Sequence, residues 1–196
     1  MSEHYYSEET HTVSDRKEYK IHILGEDFTF ITDNAVFSKK YLDFGSFVLL
    51  KEFKSNAKTI LDLGCGYGPI GIILARCNPD AQILMTDINN RALELANINI
   101  EINKIINATV EKSDGAKSIT GCFDSVVTNP PIRAGKQTVF GFYDEAYRLL
   151  KDKGELWVVI QKKQGAPSSM KKLQNLFGNC ECISKEKGYY ILKSIK

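Results

Sequence analysis

The segment Thr128-Asn129-Pro130-Pro131-Ile132 contains residue types that could act on a planar amine. Consecutive prolines lack backbone N–H donors and favour extended backbone at the residue before each of them. The side-chain oxygen of Asn129 and the carbonyl of Pro130 could therefore each accept one hydrogen of an exocyclic amine. Two such acceptors would turn the nitrogen lone pair toward an electrophile held in line, and this placement supplies much of the catalysis without a strong base. The chain has no histidine after His22, which agrees with a reaction of this kind.

A glycine-rich turn, Asp62-Leu63-Gly64-Cys65-Gly66-Tyr67-Gly68, lies upstream, between a β-rich run and a helical run. Glycine permits positive φ and lets the backbone approach a ligand closely, and the helix that follows offers its positive N-terminal end. Asp87 ends the next apolar run, where a carboxylate could bind both ribose hydroxyls of an adenosine ligand. A carboxylate at Asp62 would repel a pyrophosphate but would attract a sulfonium or ammonium group.

A nicotinamide-dependent oxidoreductase is the main alternative from a different class of enzyme. Gly66, Gly68 and Gly71 have the spacing of the dinucleotide-binding fingerprint, so spacing alone does not exclude it. The carboxylate of Asp62 disfavours a pyrophosphate, and hydride transfer has no use for the two prolines. An adenosine-binding module without catalytic activity is disfavoured because Asp62, Asp87 and Asn129 occur together.

The elements that position these motifs alternate between strand and helix from Lys58 onward. We predict strands at 59–63, 82–86, 109–111, 123–128, 155–161, 181–184 and 189–193, and helices at 69–76, 90–103, 137–150 and 168–177. Continuous apolar strands separated by helices predict a parallel sheet covered on both faces. The last two strands meet across Lys187-Gly188 and predict an antiparallel hairpin at one edge. The expected fold is therefore α/β and Rossmann-like, with a seven-stranded, mostly parallel sheet.

The N-terminal part predicts an extension of this core. Short β-like runs at 19–24 and 28–32 flank a turn and predict a hairpin, and Ser38 could cap a helix at 39–53. Gly45 weakens that helix and predicts a break or a close backbone approach. We expect residues 1–18 to form a flexible arm and 19–196 a single domain, with 19–57 as the extension and 58–196 as the cofactor-binding core.

Composition bounds the class of protein. A chain of 196 residues with 43% hydrophobic and 26% charged residues is typical of one soluble domain. No apolar run approaches the ~20 residues that span a bilayer, and the acidic, aromatic N-terminus is unlike a signal peptide. Five cysteines without C-x-x-C pairs favour the cytoplasm and no metal site. The net charge of +2 implies no particular partner, but lysine pairs such as Lys162-Lys163 would bind phosphates if they shared one face.

The glycine turn resembles the first motif of class I S-adenosylmethionine-dependent methyltransferases. This resemblance implies S-adenosylmethionine as the cofactor, with the residue at Asp87 on the ribose and Ile88 against the adenine face. Asp114 and Gly115 resemble the family's contact to the adenine edge. The candidate cofactor-binding residues are Asp62, Gly64, Gly66, Gly68, Asp87, Ile88, Asp114, Gly115 and Asn129.

Asn-Pro-Pro followed by an aromatic residue is similar to the catalytic motif of methyltransferases that act on adenine N6, guanine N2 or protein glutamine amides. The candidate catalytic residues are Asn129, Pro130, Pro131 and Ile132. Ile132 stands where those enzymes carry the ring that stacks on the target. Another ring would have to stack instead, with Phe37, Phe142 and Tyr143 as candidates.

The segments 32–38, 43–46 and 129–135 look like those of the small-subunit ribosomal RNA guanine-N2 methyltransferases, over about residues 4–165. This resemblance implies methylation of guanine N2, with ribosomal RNA or the small ribosomal subunit as partner and no membrane or metal. Phe37 and 43–46 would border the cofactor or the base entrance, and Arg133 could contact RNA phosphate. Methylation of adenine N6 or of a protein glutamine stays open, and the sequence indicates no oligomeric state.

Overall fold

The computed structural model describes residues 13–34 and 41–196, which form three layers around one large sheet. The strands are β1 (Lys17–Ile23), β2 (Glu26–Thr32), β3 (Thr59–Leu63), β4 (Gln82–Asp87), β5 (Ala108–Lys112), β6 (Phe123–Thr128), β7 (Leu150–Gln161), β8 (Glu181–Glu186) and β9 (Tyr189–Ile195). The helices are α1 (Phe44–Glu52), α2 (Pro69–Cys77), α3 (Asn90–Ile102), α4 (Lys136–Leu149) and α5 (Ala166–Phe177).

The large sheet has seven strands in the order β5-β4-β3-β6-β7-β9-β8. The five strands from β5 to β7 are parallel, and β9 runs antiparallel to both β7 and β8. The predicted α/β fold with an antiparallel edge hairpin is therefore confirmed. The strand order reverses between β3 and β6, and a crevice at the carboxyl ends of the strands at such a point is where open α/β sheets bind ligands.

Side-chain alternation along the strands builds a core on each face of the sheet. Ile60 belongs to the cluster that packs against α1, α2, α3 and the N-terminal hairpin, while the next residue, Leu61, belongs to the cluster under α4 and α5. Both are fully buried. The sheet is thus covered on both sides, and only its ends are available for a site.

The predicted N-terminal hairpin forms from β1 and β2 and is held by Asn99 of α3 and by Asn103, the C-cap of that helix. The Asn99 side chain accepts from the Ile31 N–H (2.7 Å) and donates to the Ile31 carbonyl (2.9 Å). Asn103 makes the same pair with the backbone of Thr29, at 3.0 and 2.7 Å. Asparagines four positions apart share one helix face, so they satisfy the edge of β2 as a further strand would.

Helix α1 starts later than the sequence predicted. Residues 41–43 are not helical, and Asp43 is the N-cap, accepting from the Ser46 N–H at 3.1 Å. A start at 39 is therefore wrong in the described part, and the predicted cap, Ser38, lies outside it. The close approach expected at Gly45 is confirmed, because an added Cβ would lie 2.7 Å from Cδ1 of Tyr189.

The segment that precedes β1 is also more ordered than expected, from Ser14 onward. Ser14 donates its hydroxyl to Asp33 (2.6 Å), the Asp15 N–H donates to the same carboxylate (2.8 Å), and β1 begins at Lys17. Residues 14–18 of the expected arm are therefore ordered, and flexibility of the residues before them stays a prediction. Residues 1–12 are outside the described part of the chain.

Candidate active site

A cleft opens at the carboxyl ends of the central strands, where the glycine turn after β3 faces the segment after β6. Its walls also include the ends of β4 and β7 and the first residue of β9. The residues that line it include Asp43, Ser46, Gly64, Cys65, Gly66, Tyr67, Asp87, Asn89, Asn129, Pro130, Pro131, Ile132, Arg133, Gln161, Gln164 and Tyr189. Both predicted motifs therefore meet in one place.

Backbone hydrogen bonds fix the glycine turn onto the end of β4. The N–H groups of Gly64 and Cys65 both donate to the Thr86 carbonyl at 2.9 Å. Gly64 has φ of +77° and Gly66 has φ of +58°, in the left-handed region that favours glycine. The turn leads into α2, which begins with Pro69, so the N-terminal end of this helix points into the cleft.

Asp87 connects the turn to the end of β4. One carboxylate oxygen accepts from the Gly66 N–H and the other from the Asn89 N–H, both at 2.9 Å. Burial raises the pKa of Asp87, and these backbone N–H groups counteract the shift. Carboxylate oxygens have further lone pairs, so Asp87 can accept ligand hydroxyls while it holds the turn.

Asp62 lies beneath the turn, completely buried. Its Oδ2 accepts from the Gly71 N–H at 2.8 Å, while its Oδ1 has no hydrogen-bond partner among the described residues. Burial raises the pKa of Asp62 to about 7, and the charge of Asp87 adds to this shift. Asp62 is not part of the cleft wall, so its predicted contact with a cationic group of the ligand stays a prediction that its unsatisfied buried oxygen favours.

The Asn129 side chain is oriented by two residues at the start of α1. Its amide N–H₂ group donates to Ser46 Oγ (3.0 Å) and to both carboxylate oxygens of Asp43 (3.3 Å each). The amide nitrogen must face these acceptors, so the amide oxygen faces the cleft. Within the described ranges, neither this oxygen nor the Pro130 carbonyl accepts another hydrogen bond. Asn129 and Pro130 both line the cleft, and their roles as acceptors for an amine stay a prediction.

The sequence predicts that residues 43–46 border the cofactor or the base entrance, but it does not predict the contacts of Asp43 and Ser46 with Asn129. The signal that could have found this contact is the N-cap pattern of Asp43 and Ser46. It places polar atoms at the helix end nearest the sheet's carboxyl edge.

Two of the predicted stacking rings are in the core instead. Phe142 and Tyr143 of α4 are 2% and 0% exposed and face the core, so the prediction that one of them stacks on the target is wrong. Phe37 lies outside the described residues. Among the described aromatic side chains, Tyr67 and Tyr189 line the cleft. Tyr189 was missed because only the antiparallel pairing of β9 with β7 brings it to this edge.

Four other predicted cofactor residues are not part of the cleft wall. Gly68 is the N-cap of α2, with φ of +91°, and Ile88 is half-buried after β4. Asp114 is exposed and pairs with Lys117, and Gly115 follows it in the loop after β5. The adenine contacts assigned to Ile88, Asp114 and Gly115 stay predictions.

Residues 13–34 and 41–196 contain no cluster of three or more His, Cys, Asp or Glu side chains that could hold a metal ion. They also contain no helix long and apolar enough to cross a membrane.

The strand order of this open sheet reverses next to a glycine turn, and an acidic residue ends the next strand. These features define the class of nucleoside-binding α/β enzymes. The match to known families is more specific. A profile of the family described as Methyltransferase small domain matches residues 27–193, and the chain belongs to this family. Membership implies S-adenosylmethionine as the methyl donor, in agreement with the sequence-based prediction.

Curated relatives support the same assignment. The Bacillus subtilis protein YbxB, itself named as uncharacterized, is 48% identical over the whole of both chains. Ribosomal RNA small subunit methyltransferase C of Shewanella denitrificans is 32% identical over 74% of this chain and 42% of the relative. Ribosomal RNA large subunit methyltransferase G of Streptomyces coelicolor is 30% identical over 83% of this chain and 44% of the relative. This chain spans less than half the length of the latter two.

A solved structure confirms the fold class. The Thermus thermophilus 16S rRNA N2 methyltransferase RsmC, solved in complex with AdoMet and guanosine, aligns with a TM-score of 0.82 and 25% identity. The alignment covers 92% of this chain and 50% of that one.

Proposed function

We propose that this protein transfers a methyl group from S-adenosylmethionine to the exocyclic N2 amine of a guanine in ribosomal RNA. The observation that carries the proposal is the orientation of Asn129. Because Asp43 and Ser46 hold its amide nitrogen, its oxygen and the Pro130 carbonyl form a pair of free acceptors in the cleft. A primary amine on a planar ring has the two hydrogens that this pair requires.

The cofactor side of the cleft is formed by residues of the two strand ends. The cofactor, when bound, supplies a methyl group on a positively charged sulfonium. We assign Gly64 and Gly66 to close backbone approach and Asp87 to the ribose hydroxyls. The unsatisfied oxygen of Asp62 would compensate a positive charge of the ligand from below.

On the amine side, Asn129 and Pro130 accept the two N–H hydrogens and turn the nitrogen lone pair toward the methyl group. Pro131 keeps the segment stiff and offers no competing donor at this turn. The nitrogen becomes acidic only after transfer, so no strong base is needed beforehand. Adenine N6 and a glutamine amide could satisfy the same acceptors. Guanine is favoured because the aligned Thermus enzyme is named for N2 methylation and was solved with guanosine.

The basic residues around the mouth favour RNA as the carrier of that base. Arg133, Lys162, Lys163 and Lys187 are exposed, and none forms an ion pair with another described residue. Lys187 belongs to the β8–β9 turn, whose Gly188 carbonyl accepts from the Lys162 N–H at 2.7 Å. A group of cations without ion-pair partners beside a base-sized cleft suits a phosphate backbone. We therefore propose ribosomal RNA or the small ribosomal subunit as substrate, and a cytoplasmic location.

Nucleoside mass spectrometry after incubation with S-adenosylmethionine and unmethylated ribosomal RNA or small subunits tests the proposal. We expect N2-methylguanine from the wild type. Asn129→Ala should lower turnover by orders of magnitude with cofactor affinity nearly unchanged, as expected for a contact used in the transition state. Asn97→Ala, at an exposed position of α3, is the matched control. N6-methyladenine as the sole product would reassign the base, and label found only in protein would exclude RNA as substrate.

A further inference from the structure

The cleft lacks a ring at the position next to the two prolines, because Ile132 stands there. A planar base bound only by its amine would lose the stacking that aromatic side chains give to bases. Tyr189 lies in the same cleft as Asn129. It opens β9 and pairs in register with Gln161 at the carboxyl end of β7, so its backbone is part of the sheet rather than of a loose loop.

The fold makes room for this ring and supports it. Gly45 faces the ring, and a Cβ there would lie 2.7 and 2.8 Å from two of its carbons. Phe44 contacts the Tyr189 ring with centroids 5.9 Å apart at 58°, and Phe47 stacks behind Phe44 at 6.1 Å. The Lys187 ammonium lies 4.5 Å from the centroid of Phe44. A ring that is buttressed on one side and borders the cleft on another is preorganised for a ligand.

The surroundings of the ring suit the polar edge of a base. Gln161 and Gln164 also line the cleft, and neither side chain has a hydrogen bond within the described part of the chain. Each carries one acceptor and two donors, which could meet the remaining edge of a guanine. Burial and the nearby charge of Asp43 raise the pKa of the Tyr189 hydroxyl, so this group stays neutral at physiological pH.

We propose that Tyr189 is the wall on which the target base stacks, replacing the ring that Ile132 does not provide. This inference rests on the proposed function, since it assumes that a purine enters the cleft. It differs from a packing role for Tyr189 in one respect. A packing role predicts a loss of stability when the ring is removed, whereas a stacking role predicts a loss of base affinity in a folded protein.

The probe is 2-aminopurine riboside, a fluorescent purine that carries an amine at the position of guanine N2 and is quenched when it stacks. It is titrated into the protein saturated with S-adenosylhomocysteine. We expect saturable quenching with the wild type, a similar dissociation constant with Tyr189→Phe, and binding weakened tenfold or more with Tyr189→Leu. Tyr190→Leu is the matched control, because the neighbouring tyrosine belongs to the core cluster on the opposite face of the sheet.

A second variant keeps the test decisive if Tyr189→Leu fails to fold. Gly45→Ala retains the tyrosine, but the added Cβ displaces its ring, so weakened quenching is expected, while retained binding of S-adenosylhomocysteine shows that the variant is folded. Probe binding by a folded Tyr189→Leu or by Gly45→Ala that equals the wild type overturns the stacking role alone. Absence of quenching with the wild type, which still binds S-adenosylhomocysteine, overturns the stacking role together with the guanine substrate.

Discussion

At the scale of single residues, the chemistry of the cleft depends on which end of one amide faces the substrate. The Asn129 oxygen is directed inward only because Asp43 and Ser46 accept from its nitrogen. Asp43 is also the N-cap of α1, so one carboxylate fixes both the helix and the amide. Asp43 is therefore a positioning residue, and its two tasks can be separated by substitution.

Asp43→Asn should lower turnover more than tenfold with little change in stability. Asparagine is as good an N-cap as aspartate, so the helix start is retained. Its N–H₂ group can replace an acceptor that Asn129 needs, which favours a flipped Asn129 with donors in the cleft. Methyl-transfer kinetics and urea denaturation measure the two effects. A variant with wild-type turnover would show that Asp43 does not orient the amide.

The buried Asp62 makes the stability of the cofactor-free protein depend on pH. Its pKa is about 7 in the folded protein, well above the ordinary value of an aspartate, because burial penalises the charge. The unfolded chain therefore releases this proton first, and the Asp62 contribution to stability is fully present below pH ~4 and is lost as pH rises toward 7, at up to about 1.4 kcal/mol per pH unit.

Asp62→Asn should remove this dependence. The amide oxygen can still accept from the Gly71 N–H, and the side chain no longer titrates. We expect the free energy of unfolding of the variant, relative to the wild type, to increase between pH 4 and 7 and to stay constant above. Urea denaturation across this range without cofactor measures it. A difference that is independent of pH would mean that the Asp62 pKa is ordinary.

At the scale of elements, Asp124 joins three strands at the end of the sheet that lies opposite the cleft. Asp124 of β6 accepts from the N–H groups of Lys58 and Thr59 (2.9 Å each) and from the Lys151 ammonium of β7 (2.7 Å). Partial burial acts to raise the pKa of Asp124, but the combined effect of these donors and the Thr59 hydroxyl is larger and lowers the pKa to about 2. The Asp124 carboxylate thus helps to fix the register of β3, β6 and β7, and the opposite ends of these strands form the cleft.

Asp124→Asn should destabilise the protein by roughly 1–2 kcal/mol at pH 7, a value reduced for partial exposure. Because the folded pKa lies below the ordinary value, this stabilisation is present above pH ~4 and is lost as pH falls toward 2. The difference between variant and wild type in urea denaturation should shrink over that interval. Asp80→Asn, at an exposed carboxylate paired with Lys58 at 3.4 Å, is the control and should change stability little.

The sequence predicted those elements whose signals are local. Strands at 59–63 and 123–128 agree with β3 and β6 at both ends, because apolar β-rich runs there stop at glycine or proline. The parallel sheet then brings the two strand ends together, so the glycine turn and Asn129 could be placed in one cleft. The predicted start of α1 was too early because Ser38 and Asp43 are both residue types that cap helices, and the sequence does not show the packing of Gly45 against Tyr189 that accompanies the start after Asp43.

Long-range contacts were beyond the sequence pattern. Phe142 and Tyr143 are close to Ile132 along the chain, but the apolar face of α4 directs both into the core. Tyr189 is distant along the chain and reaches the cleft through the pairing of β9 with β7. The partner of the Asn129 amide is also a contact between separate elements, so no spacing rule could assign it.

At the scale of the whole molecule, charge is distributed so that the net value hides the surface that matters. The net charge is +2, yet Arg133 lines the cleft, and the exposed Lys162, Lys163 and Lys187 are close along the chain to residues that line it, without described acidic partners. Lys104 and Lys153 are exposed at the opposite edge of the sheet, after α3 and before the central part of β7. The pair Lys162 and Lys163 and the pair Lys104 and Lys153 therefore carry the same charge at different places on the surface.

Lys162→Gln/Lys163→Gln should therefore weaken RNA binding while leaving cofactor binding unchanged. Each lost phosphate contact reduces the number of counterions released, so the slope of log Kobs against log salt should become shallower by about 0.7–0.9 per contact. The measurement is a titration of ribosomal RNA fragments at several salt concentrations, with cofactor affinity as a check of folding. Lys104→Gln/Lys153→Gln changes the net charge equally, so an effect of total charge would alter both double variants alike. A slope that changes equally in both would refute a localised RNA surface, whereas a change confined to Lys162→Gln/Lys163→Gln would place the phosphate backbone at the mouth of the cleft, next to Tyr189 and Asn129.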